Sequence, residues 1–98
     1  MKKLEFTSPE EFSEYFKGKS VDLTNSIAYS IREAFLYQKK TASLFEIAFD
    51  GSDSVYEISL SKREWVTALE NCLSHYHEWE MYDDEIDTWE LIQSIKKF

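Results

Sequence analysis

Glycine, proline and cysteine are close to missing from this 98-residue chain, which holds two, one and one of them. With two glycines there is almost nothing from which to build a phosphate-cradling loop, and neither G-x-G-x-x-G nor G-x-x-x-x-G-K-[ST] occurs. H-E-x-x-H and G-x-S-x-G are absent as well, which removes the commonest metalloprotease and serine-hydrolase signatures. A lone Cys72 excludes an internal disulfide, whereas a secreted domain this small usually carries an even set of cysteines as staples. No stretch approaches the 18 or so uninterrupted apolar residues of a membrane helix. The opening Met1-Lys2-Lys3-Leu4-Glu5-Phe6 turns to charge where a signal peptide needs an apolar block, so the expected location is cytoplasmic. Bases are scarce too, 11 against 19 acids, for a net charge of −8. Direct nucleic acid binding and anionic membrane binding both depend on Lys and Arg neutralising phosphate, so neither is expected, and a basic partner is the favoured direction.

What is abundant is apolar and aromatic: 43% of residues are apolar and 16% aromatic, enough to exclude a disordered chain. At this length one core is expected, hence one domain over residues 1–98. Ser8-Pro9-Glu10-Glu11 predicts a helix start, with Ser8 as cap, Pro9 in the first turn and Glu11 in the capping-box position. Phe12, Tyr15 and Phe16 form its apolar face and Gly18 its terminator. Ile27, Ile31, Ala34 and Phe35 predict a second helix from about Thr24 to Lys40. The period then shortens: Phe45, Ile47 and Phe49 alternate with Leu44, Glu46 and Ala48, and Tyr56, Ile58 and Leu60 alternate with Glu57 and Ser59. Around the turn Asp50-Gly51-Ser52-Asp53 these read as an antiparallel hairpin with Phe45, Ile47, Tyr56 and Ile58 facing helices. A hairpin alone is marginal in water, so it must lay its apolar face on helices or recruit a third strand, which Lys3 to Phe6 or Ser20 to Leu23 could supply. Ser61-Lys62-Arg63-Glu64 opens a long helix with the stripe Trp65, Leu69, Cys72, Tyr76 and Trp79. A last helix is expected from Asp83 or Asp84 to Lys97, with Trp89, Ile92 and Ile95 inward. The fold class is therefore α+β, a small antiparallel sheet packed against about four helices in the order α-α-β-β-α-α.

Catalytic chemistry finds little support. His75 and His77, two apart on a helix, diverge by about 200° and cannot converge on one metal. Cys72 falls within an apolar stripe, where a nucleophile would be inaccessible. Asp83, Asp84, Glu85, Asp87 and Glu90 lack the central glycine and residue order of a calcium loop. No catalytic residue, cofactor or metal is expected.

Charge placement is the informative feature. Glu78, Glu80, Asp83, Asp84, Glu85, Asp87 and Glu90 put seven acids and no base into thirteen residues, while the remaining 85 residues carry twelve acids and eleven bases. Were this run wholly helical it would span about 18 Å, with a charge density close to that of one DNA strand. Trp79, Met81, Tyr82, Ile86 and Trp89, interleaved with the acids, are residue types that anchor interfaces. The plain alternative is a solvated face whose acids stabilise a helix N-terminus. The cluster Glu80-Met81-Tyr82-Asp83-Asp84-Glu85, in an acidic chain without catalytic motifs, resembles small phage-encoded inhibitors, including DNA-mimic anti-restriction and anti-CRISPR proteins. The resemblance covers residues 55–98, rests on style rather than a motif, and carries over no functional position. The charge placement itself leads to the expectation of a non-enzymatic inhibitor or adaptor whose ridge, with partner-binding residues Glu78, Glu80, Tyr82, Asp83, Asp84, Glu85, Asp87 and Glu90, occupies a basic surface of a protein, such as one that holds nucleic acid. The alternative is an assembly module, homo-oligomeric included, that pairs through apolar helix faces.

Overall fold

The computed structural model of the chain describes residues 2–17, 20–51 and 54–97. The elements run β1 (Lys2–Phe6), α1 (Pro9–Lys17), α2 (Val21–Leu36), β2 (Thr41–Phe49), β3 (Val55–Ser61), α3 (Lys62–Glu78) and α4 (Tyr82–Lys97). The α+β class and the α-α-β-β-α-α order hold, with one strand ahead of them. That strand is the Lys3 to Phe6 alternative; Ser20 to Leu23 instead opens α2, where the Ser20 hydroxyl accepts the Leu23 N–H at 3.2 Å. The sheet order is β1-β2-β3, with β2 and β3 antiparallel and β1 parallel to β2, so the sheet is mixed rather than purely antiparallel. A parallel pair needs a long crossover, and α1 and α2 provide it. Gly18 of the expected helix stop, and Ser52 and Asp53 of the expected turn, lie outside the described residues.

Between Ser43 and Phe45 the β2–β3 register shifts by one residue, leaving Leu44 as a bulge. A bulge reverses the phase of the side chains beyond it. Ala42 and Leu44 therefore point inward on one side of it and Phe45 and Ile47 on the other, and all four are buried. Leu44, expected on the outer face, is thus a core residue. Tyr56 departs in the opposite direction: it pairs with Ile47 but is 53% exposed, because β3 is an edge strand that the helices cover less than β2. Gly51 closes the turn at φ 77°, a conformation that residues with a Cβ reach only with strain.

The connections after α2 and α3 leave their helices the same way. Gln38 (φ 56°) follows α2 and Glu80 (φ 59°) follows α3. In each case the left-handed residue and its successor return N–H groups to the last turn: Gln38 to Phe35 (3.1 Å) and Lys39 to Ala34 (2.8 Å), Glu80 to His77 (3.2 Å) and Met81 to Tyr76 (2.9 Å). This is the Schellman arrangement, made here without glycine, and it stops α2 at Leu36 rather than at Lys40. At the helix starts, Glu64 accepts the Ser61 N–H at 3.0 Å, and the Ser8 hydroxyl accepts the Glu11 N–H at 3.3 Å. The Glu11 carboxylate reaches one residue further back than a capping box requires, to the Thr7 N–H at 3.2 Å.

The core joins Phe6, Leu23, Ile31, Ala34, the inward side of β2, Trp65 and Leu69 with Leu91, Ile92 and Ile95. Trp65 is fully buried, and its indole N–H donates to the Leu60 carbonyl at 2.9 Å, so burial leaves no orphan donor. At the hairpin end, Phe6 meets Phe12 and Tyr15 edge-on at 5.4 and 5.6 Å. In α4 the buried positions are Thr88, Leu91, Ile92 and Ile95, spaced i, i+3, i+4 and i+7. Trp89, expected inward, lies one residue (100°) around the helix from Thr88 and is 53% exposed.

Candidate functional site

The acidic run does not form one continuous helix. α3 ends at Glu78, the left-handed Glu80 turns the chain, and α4 begins at Tyr82. The two helices fold back as an antiparallel pair, α4 packing mainly on α3, so the acids collect at one end of a helical hairpin instead of lining an 18 Å rod.

The eight sequence-predicted positions separate into four groups. Asp83, Asp87 and Glu90 recur at i, i+4 and i+7, are all exposed, and form one straight row about 10 Å long on α4. Tyr82, with Ile86 and Trp89, forms a second row beside it at the same spacing; these three are 53, 55 and 53% exposed. Glu85 and Asp84 turn away from both rows. Glu85 meets the His77 ring at 3.0 Å and ties the end of α3 to the start of α4. Asp84 lines a cleft of about 230 Å³ between α2 and α4, with Arg32, Tyr29 and Tyr76 among its walls. Glu78 and Glu80 stay exposed at the α3 end of the joint. The spacing in the row of three averages about 5 Å, wider than the 3.4 Å of a DNA strand.

Local stability does not account for the outer acid of this row. Asp83, in the first turn of α4, benefits from the helix dipole, but that benefit fades within a turn, and Glu90 stands in the third. The like-charge spacings Asp83–Asp87 and Asp87–Glu90 each oppose the helix by about 0.2–0.5 kcal/mol, and no base lies between them.

The opposite end of the molecule is basic. Because α3 runs antiparallel to both α2 and α4, the residues after α2 (Lys39, Lys40), the start of α3 (Lys62, Arg63) and the end of α4 (Lys96, Lys97) lie toward the same end. The Lys62 N–H donates to the Lys40 carbonyl at 3.0 Å, and Lys39, Lys40 and Lys62 rim a cleft of about 670 Å³ floored by Phe35, Leu36 and Trp65. The sequence does not show this grouping, since these bases come from three separated stretches of chain.

The cysteine and histidines form no nucleophile–base pair. Cys72 is buried, its thiol faces the Thr24 carbonyl at 3.8 Å, and burial pushes its pKa up to about 11. His75 meets the Thr24 hydroxyl at 3.2 Å and lies against the Trp79 ring. The Tyr76 phenol donates to Asn25 at 2.6 Å, and burial, with Cys72 and Asp84 nearby, pushes it up to about 12 despite Arg32. Among the described residues no three His, Cys, Asp or Glu side chains are grouped to hold a metal ion, and no helix is long and apolar enough to cross a membrane. No protein family, curated protein or solved structure matches this chain.

Proposed function

We propose that this chain is a non-enzymatic, cytoplasmic inhibitor or adaptor that docks its acidic end onto a basic surface of a partner protein, of the kind that holds nucleic acid. The observation that carries this reading is the pairing of two parallel rows on α4: acids Asp83, Asp87 and Glu90, and exposed Tyr82, Ile86 and Trp89. Charge speeds the encounter and orients it, and aromatic side chains supply the desolvated anchors that hold a complex together. Glu78 and Glu80 extend the negative field across the joint. Asp84 and Glu85 serve the interface indirectly, through the α2 side and through His77.

The test replaces Asp83, Asp87 and Glu90 with Asn, Asn and Gln, all exposed positions where the fold should persist. Against a partner captured from native cytosol, the variant is expected to associate at least 10-fold more slowly at low salt and to show a flatter salt dependence. An unchanged association rate and salt slope would remove the acidic row from the interface and favour the assembly-module reading.

A further inference from the structure

We propose that the cleft at the basic end binds a small amphiphilic anion, its flat apolar body resting on Phe35 and Leu36 and its carboxylate met by Lys40 and Lys62. The cleft encloses about 670 Å³, inside the range of about 300–1,000 Å³ typical of small-molecule sites. No acid lines it: the rim is lysine and Gln38, and the walls are apolar. Leu36 stands 67% exposed on one wall. Trp65 seals the base, with its indole N–H already committed to the Leu60 carbonyl, so the base offers no competing polar group.

The charges of the rim are uncompensated. Lys40 and Lys62 face each other across the β2–β3 ladder, one step beyond the Thr41–Ser61 pair, where the Lys62 N–H donates to the Lys40 carbonyl at 3.0 Å. Like charges directly opposite each other destabilise a ladder, so local stability does not favour this pair. Among the described residues neither ammonium is ion-paired. The nearby acids are placed elsewhere: Glu64 takes the Ser61 N–H, and Glu33 borders a separate, smaller cleft together with Lys39. Lys39 therefore serves both clefts, and Lys40 and Lys62 are the pair that an anion would satisfy.

Charge and apolar surface reinforce each other here. Exposed ammoniums hold a fully hydrated anion weakly, but a body laid on Phe35 and Leu36 excludes water beside them and strengthens the contact. Lysine stems can run along that body while their heads reach the carboxylate. The plain alternative, in which the stems merely shield Phe35 and Leu36 from water, gives no preference for an anion. None of the acidic-end residues lines this cleft, so the inference is independent of the partner-docking reading.

The test uses naphthoate as ligand, with naphthamide as a control of the same shape and no charge. Titrated at low salt into the isotope-labelled full chain, naphthoate is expected to saturate one site with a Kd of about 1 mM or tighter. The amide resonances of Leu36, Lys39 and Lys62 and the indole resonance of Trp65 should move. Naphthamide and inorganic phosphate should each bind at least 10-fold more weakly. Lys40→Gln combined with Lys62→Gln should weaken naphthoate at least 10-fold and leave naphthamide unchanged. Both positions are exposed, so the dispersed spectrum should persist, and the comparison of naphthoate with its amide needs no variant. Equal affinity for naphthoate and naphthamide would leave only an apolar patch, and equal affinity for phosphate only a cluster of charge; either would overturn the proposal. So would shifts that never saturate or that centre away from this cleft, or a double variant that binds naphthoate as the wild type does. Cosedimentation with phosphatidylglycerol vesicles would place the anion in a membrane and overturn a free ligand.

Discussion

Cys72 and Tyr76, one turn apart on α3, are both held in their protonated forms by burial: the thiol rises from 9.0 to about 11 and the phenol from 10.0 to about 12. Each folded-state value lies above its unfolded one, so the unfolded chain loses these protons first. Their contribution to stability is complete below pH 9 and is lost as pH rises through about 11 and then about 12. Urea midpoints measured across that interval should fall, and Cys72→Ala should remove the earlier part of the decline; a flat profile in the wild type would contradict the burial. A second residue-scale expectation concerns Gln38, whose φ of 56° strains any side chain with a Cβ. Gln38→Gly should raise stability by about 0.5–1 kcal/mol in denaturant unfolding, and a loss of stability would mean the cap is not strained. Nothing in the sequence marks Gln38 or Glu80 as a helix stop, since glycine usually gives that signal. The Ser61–Glu64 start was legible because both halves of its capping logic are written in the residue types.

At the scale of elements, the alternation of Phe45, Ile47 and Phe49 was enough to find β2, while the bulge at Leu44 was not, because a bulge is fixed by the partner strand's register. The inner side of β2 now gives a sharp contrast with the edge strand. Ile47→Asp should unfold the protein, since an unpaired buried carboxylate costs several kcal/mol against a total stability of about 5–15. Tyr56→Asp, directly across the ladder, should lower the melting temperature by only a few degrees. Equal effects from the two would mean that the sheet is covered evenly and that the edge assignment is wrong. Trp89 was misread for a related reason: 89, 92 and 95 make a plausible stripe, but 88, 91, 92 and 95 fill the α3 side better, with Thr88 admitted as a small side chain. Composition alone favours Trp over Thr for a core position, and the packing of α3 against α4 chose otherwise.

For the whole molecule, the acid cluster was visible as a count but not as a shape, because its division by the α3–α4 joint depends on a backbone turn at Glu80. The basic end was invisible for a different reason: Lys39, Lys40, Lys62, Arg63, Lys96 and Lys97 come to one end only once α3 packs antiparallel to α2 and to α4. That separation of charge has a practical side. Five of the nine lysines of the chain lie at the basic end, and none lies between Lys62 and Lys96. Reagents that acylate amines will therefore mark that end heavily and leave α3 beyond Lys62 and the acidic part of α4 untouched. A sensor surface that captures proteins through their amines will hold many of these molecules by the basic end, with Asp83, Asp87, Glu90 and the tryptophan at 89 turned outward to meet what flows past.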